Sequence, residues 1–171
     1  MLSAEQIINY QAPSNCLKDR IIFITGAGDG IGKAAALACA QAGASIILAG
    51  RTVAKLEQVY DQIIDAELAE PTIYPINLEG AVADDYDALA VNLDKQFGRL
   101  DGLLHNAGIL GQRTPLSHYR QDVWDKVLQV NITAPFQMTQ SLMPILEKSG
   151  DATVAEEINR EKEGVITTKD K

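Results

Sequence analysis

Between the apolar run Ile21-Ile22-Phe23-Ile24 and the alanine-rich stretch Lys33-Ala-Ala-Ala-Leu-Ala stands Thr25-Gly-Ala-Gly-Asp-Gly-Ile-Gly32, with four glycines in eight positions. The β-branched run reads as a strand buried on both faces, and the alanine-rich run as a helix that Gly43 stops. A loop so poor in side chains leaves the free N–H groups of a helix N-terminus open to an anion such as a phosphate. This unit constrains the fold more than any other feature, because a strand buried on both faces belongs in a parallel sheet covered by helices on both sides.

The rest of the chain repeats the alternation. Strand-like text recurs at 45–49, 72–76 and 100–104, the last running into His105-Asn-Ala-Gly108. Helix-period text fills 55–67, with Leu56, Val59, Ile63 and Ile64 along one face, then 84–97, 123–130 and 136–147, the last opened by Pro135. The pattern predicts an α/β chain with a Rossmann-type doubly wound parallel sheet and right-handed crossovers. A polar lead-in at 1–19, a nucleotide-binding domain at 20–150 and a charged stretch at 151–171 complete the expected layout.

Composition excludes several classes. A formal net charge of −8 and a pI near 4.7 oppose a nucleic-acid backbone or an anionic membrane surface as partner. No apolar run is long enough to span a bilayer, residues 1–18 lack the unbroken apolar core of a signal peptide, and the two cysteines form no C-x-x-C pair, so a cytoplasmic location is expected. His105 and His118 make no metal-ligand spacing with each other or with the cysteines, and H-E-x-x-H, G-x-S-x-G and P-loop motifs are missing.

Gly26 suits the turn out of the strand, Gly30 an approach of backbone to a pyrophosphate, and Gly32 close packing of helix on sheet. The strict G-x-G-x-x-G spacing is not met, since Ile31 and Lys33 stand where its third glycine would fall; T-G-x-x-x-G-I-G is met. Residues 25–32 thus resemble the cofactor loop of the short-chain dehydrogenase/reductase family. Residues 105–108 are similar to its Asn-Asn-Ala-Gly element after the fourth strand, and Asn131 matches its active-site asparagine. The resemblance runs from residue 17 to about residue 149. It implies cofactor contacts from Thr25, Gly26, Asp29, Gly30, Ile31 and Gly32 in the first loop and from Asn106, Ala107 and Gly108 in the second.

An acidic residue at the end of the second strand would hydrogen-bond the adenosine ribose and repel a 2′-phosphate. Gly50 stands there instead, followed by Arg51, whose guanidinium can fork onto a phosphate. The balance favours NADP over NAD. Lys33 either adds charge near that phosphate or is a solvated first-turn lysine. Asn77 and Leu78 take the place of the family's Asp and following apolar residue at the adenine. His105 reads as a packing or backbone-capping group and not as a base.

The resemblance also implies an oxidoreductase moving a hydride between the nicotinamide and a carbonyl or alcohol, with a Ser after the fifth strand and a Tyr followed four residues later by Lys. Tyr10, Tyr60, Tyr74, Tyr86 and Tyr119 are followed at that spacing by Ser14, Ile64, Leu78, Ala90 and Val123. Of the catalytic tetrad only Asn131 is present, and family-like text gives way near residue 151 to Ala155-Glu-Glu-Ile-Asn-Arg-Glu-Lys-Glu-Gly164. That stretch reads as a charged helix with a Thr153/Glu156 capping box and a Gly164 stop; 165–168 could add a short fifth strand, but a solvated tail is the favoured reading. The sheet is therefore expected to be incomplete on its C-terminal side, and the chain truncated or divergent and catalytically inactive. The alternatives are a non-catalytic NADP-binding module and an inert fragment. The small-molecule substrate is not legible, and a homo-oligomer is implied for a full-length form.

Overall fold

The computed structural model describes residues 12–156. Five strands, β1 (Ile21–Thr25), β2 (Ser45–Gly50), β3 (Thr72–Pro75), β4 (Gly102–His105) and β5 (Thr153–Glu156), form one sheet in the order β3-β2-β1-β4-β5. Every pairing is parallel. Helices α1 (Gly30–Gln41), α2 (Val53–Asp65) and α3 (Ala83–Phe97) form the first three crossovers. The fourth carries α4 (Gln121–Leu128), a π-turn (Gln129–Thr133) and α5 (Ala134–Glu147).

Side-chain alternation along the strands explains the two layers. In β1, Phe23 faces one core and Ile24 the other; in β2, Ile47 and Ala49 face the first, and Ile46 and Leu48 the second. The first core is closed by Tyr86, Leu89 and Leu93 of α3 and Met138, Leu142 and Ile145 of α5. Ala36 and Ala40 of α1 with Leu56, Val59 and Ile63 of α2 close the second. The sheet is thus doubly wound and Rossmann-type, and its strand order reverses direction beside β1. No helix among the described residues is long and apolar enough to cross a membrane.

Two expectations need correction. Thr153 and Glu156 do not cap a helix; they are the ends of β5, whose Thr153, Val154, Ala155 and Glu156 pair with Gly102, Leu103, Leu104 and His105. The open flank of β4 supplies backbone partners, and Val154 packs on the first core, so tertiary pairing overrides local helix text. The sheet therefore runs beyond residue 150. The remainder of the expected charged helix and the strand at 165–168 lie outside the described residues. Pro135, in turn, does not open a separate helix, because α4, the π-turn and α5 are continuous. Pro135 has no N–H for the carbonyl four residues back, that of Asn131, and the local bond shifts to Ala134 N–H donating to Gln129 O.

At the N-terminal end of the strands Asp101 fastens three segments. Its carboxylate accepts from the Ile21 N–H at 2.9 Å, the Ser149 hydroxyl at 2.6 Å, Arg99 Nε at 3.1 Å and Arg20 at 3.3 Å, with only 3% of the side chain exposed. Arg20 also holds Asp151 at 2.5 and 2.7 Å, just ahead of β5.

Candidate functional site

The reversal of strand order puts a crevice at the C-terminal ends of β1 and β4, where two loops leave in opposite directions. Those loops are the glycine loop after β1 and Asn106–Gly108 after β4, and side chains stitch them together. Thr25 Oγ1 accepts from the backbone N–H groups of Asn106 and Ala107, both at 3.0 Å. Asn106 Nδ2 donates back to the carbonyls of Thr25 at 3.0 Å and Gly26 at 3.2 Å. Thr25 is buried, so these bonds are shielded from water.

The glycines divide into three roles. Gly26 has φ +66°, and a Cβ there would stand 2.8 Å from Asn106 Nδ2; a Cβ on Gly32 would run into Asn106 and the Gly26 carbonyl. Both therefore serve the close approach of loop to loop. Gly30 has φ +53° with nothing within 4 Å of a built Cβ, so its backbone faces open space. Gly28 is a packing glycine of a third kind, since a Cβ there would lie 2.9 Å from Lys55 Cβ.

A cleft of about 310 Å³ opens between the two loops and the ends of β2 and β3. Among the sequence-expected site residues, it is lined by Thr25, Gly26 and Asp29 from the first loop and by Asn106, Ala107 and Gly108 from the second. Arg51 beyond β2, and Asn77 and Leu78 beyond β3, line its other side. Gly30 and Ile31 are exposed on the first turn of α1 and Gly32 is buried beneath it; these three do not line the cleft. Asn131 stands one layer back. Its side chain accepts from the Ile109 N–H and donates to the Ile109 carbonyl, both at 2.9 Å, and Ile109 lines the cleft.

Charge is arranged at the mouth. Asp29 caps α1 by accepting from the Gly30 N–H at 2.8 Å and pairs with Lys55 Nζ at 2.7 Å. The Lys55 hydrogen bond first, then that of Gly30, hold its carboxyl below the usual carboxylate range. Arg51 makes no ion pair among the described residues. Glu79, also at the lining, is held by Lys126 at 2.8 Å. His105 is buried at the end of β4 against the Thr139 hydroxyl at 2.8 Å, and burial pushes its imidazole down to about 4. It is neutral at pH 7 and bonded to a side chain, which suits packing and not base chemistry.

Several residues at or beside the cleft escaped sequence reading. Lys55 and Glu79 carry charge into the cleft, and Gln129 Nε2 ties the loop after β3 by donating to the Leu78 and Ala81 carbonyls at 3.4 and 3.2 Å. The one legible signal was the four-residue spacing of Arg51, just ahead of the α2 cap, and Lys55, in its first turn. For Gln129 there was none.

The family profile described as short chain dehydrogenase matches residues 20–156. The chain belongs to the short chain dehydrogenase family. It is 42% identical over 142 residues to the uncharacterized oxidoreductase YciK of Escherichia coli K12, an alignment covering 83% of this chain and 56% of that protein. Two solved structures superpose with TM-scores of 0.81, each over 84% of this chain and 60% of the other: one from Escherichia coli CFT073 in complex with NADPH, at 41% identity, and one from Shigella flexneri 2a in complex with NADP, at 40%. The chain thus spans less than two thirds of the length of these short chain dehydrogenase relatives.

Proposed function

We propose that residues 20–156 are the NADP(H)-binding unit of a short-chain dehydrogenase that exchanges a hydride between the cofactor and a carbonyl or alcohol substrate. The observation that carries this reading is the cleft at the strand-order reversal, walled by the glycine loop and Asn106–Gly108, with Arg51 and no acid at the end of β2. Gly30 has no side chain of its own to bar a pyrophosphate, whose approach to the Gly30 N–H displaces the Asp29 carboxylate that holds it. Asn77 and Leu78 flank the adenine, Arg51 faces the 2′-phosphate, and the Asn106–Gly108 turn with Ile109 borders the nicotinamide half. NADPH, when bound, supplies the hydride. The two neighbours solved with NADPH and NADP support that choice of dinucleotide.

Asn131 acts through Ile109, fixing the loop that floors the cleft. The 171 residues contain no Tyr-x-x-x-Lys to protonate a developing alkoxide. The polypeptide of these residues therefore binds NADP(H) without turning over a carbonyl. Calorimetric titration with NADPH and NADH tests the binding: heat and thermal protection with preference for NADPH are expected, and no response to either removes the reading. Steady NADPH oxidation with an aldehyde or ketone, abolished by Asn131→Ala, would refute the inactivity.

A further inference from the structure

The segment ahead of β1 is fitted against the end of α1 that lies away from the cleft. Asn15 and Asp19 both take a left-handed φ, 58° and 63°. Between them the Lys18 N–H donates to the Asn15 carbonyl and the Arg20 N–H to the Leu17 carbonyl, both at 3.0 Å, which closes the turn. Leu17 N–H donates to the Ala42 carbonyl at 2.9 Å. A Cβ on Gly43 would stand 3.2 Å from Lys18 Cα and 3.4 Å from Asn15 Oδ1. Cys16 is therefore held between two residues that touch the end of α1. Cys39 lies three and four positions before Ala42 and Gly43, one helical turn back on the face they share. Cys16 is exposed, and Cys39 is half-buried beside the second core together with Leu17. Burial first, and then the neighbouring Cys16, push the Cys39 thiol up, so the two sulfur groups are within electrostatic reach of one another.

We propose that Cys16 and Cys39 are a reversible redox pair, a dithiol that hydrogen peroxide converts to a disulfide stapling the segment ahead of β1 onto α1. Exposed Cys16 is the sulfur that the oxidant meets first, and burial reserves Cys39 as the resolving partner. The Cys16 thiolate attacks one peroxide oxygen, the O–O bond breaks, and a sulfenic acid forms as hydroxide leaves and becomes water. The Cys39 sulfur then attacks the Cys16 sulfur, and the sulfenic oxygen departs as a second water. Two thiols lose their hydrogens and two electrons pass to the peroxide. The closed ring encloses β1, the glycine loop and most of α1, while the link itself lies at the far end of α1 from the cleft.

In the test the full chain is treated with hydrogen peroxide under native conditions, remaining thiols are blocked with iodoacetamide, and masses are read whole and after trypsin. The expected product is a monomer lighter by two hydrogen atoms with no thiol left to alkylate. Its tryptic peptides 1–18 and 34–51, which carry one cysteine each, are joined. Closing a ring of this length should raise Tm by roughly 5–10 °C, and dithiothreitol should reverse the rise. Cys16→Ser and Cys39→Ala should show neither the link nor the rise. Dimers linked through Cys16, a sulfinic acid at Cys16 with Cys39 still alkylated, or a link that forms only in denaturant would each overturn the pair. A joined product whose Tm is unchanged or lowered overturns the staple as well, because the fold would then have to distort to close it.

Discussion

Replacing Asp101 by Asn tests the claim that one carboxylate fastens β1, β4 and β5 at the end of the sheet away from the cleft. The side chain receives the Ile21 N–H, the Ser149 hydroxyl and two guanidinium groups. An Asn keeps one oxygen for the Ile21 N–H but turns an NH2 toward donors. Removing one partner of a buried ion pair costs about 3–5 kcal/mol. Arg20 and Arg99 have 36% and 44% of their side chains exposed and recover hydration when released, so the expected loss is smaller, about 2 kcal/mol. For a domain of this size that lowers Tm by roughly 4–8 °C. The dependence on pH carries the sharper test. Burial raises the Asp101 carboxyl, but the hydrogen bonds from Ser149, Ile21 and Arg99 outweigh it and hold the group below its ordinary range. A lowered folded value means that the stabilisation is complete above the ordinary Asp value of about 3.9 and fades as pH falls through the folded value. Urea unfolding followed by circular dichroism at pH 7 and pH 3 should show the wild-type advantage at pH 7 and its shrinkage at pH 3. A difference under about 0.5 kcal/mol at pH 7, or an equal one at both pH values, would refute the reasoning.

Three further expectations follow from the site. Gly30→Ala should cost only about 1–2 kcal/mol of stability for its left-handed φ but abolish NADPH binding, whereas Gly32→Ala should compromise folding itself, and thermal melts with and without NADPH separate the two. His105, neutral in the fold and pushed down to about 4, binds fewer protons folded than unfolded between that value and 6.5, so stability rises with pH there. Denaturant titrations should show the wild type losing about 2 kcal/mol from pH 7 to pH 5 and His105→Asn lacking that slope; parallel curves would contradict the buried neutral imidazole. Asn131→Ala should leave the Ile109 N–H and carbonyl without their partner, cost about 2 kcal/mol and speed amide exchange at Ile109, a change that an unaltered exchange rate would exclude.

Much of the site was legible because its parts are short and stereochemically demanding. Residues 25–32 supply the positive φ and the clearance that only glycine allows, and the two loops at the ends of β1 and β4 are where a doubly wound sheet must place a ligand once its strand order reverses. Nine of the thirteen expected residues line the cleft, since they sit on those loops or at the ends of β2 and β3. Gly30, Ile31 and Gly32 do not, because α1 begins at Gly30 and carries them onto its first turn, and Asn131 acts from behind Ile109.

What the chain determines by itself reaches only a few residues at a time: the period of apolar positions, the φ that glycine permits, the N–H that Pro135 lacks. Those local terms name the strands, the helices and the phosphate-shaped loop. Tertiary structure decided the rest. Residues 153–156 became a strand because β4 presented an unpaired edge. Asp101 acquired its role from Ile21, 80 positions away, and Lys55 met Asp29 across 26 positions because α2 packs on Gly28. Backbone pairing and burial depend on which segment arrives alongside, and no window of sequence contains that information until the sheet has formed.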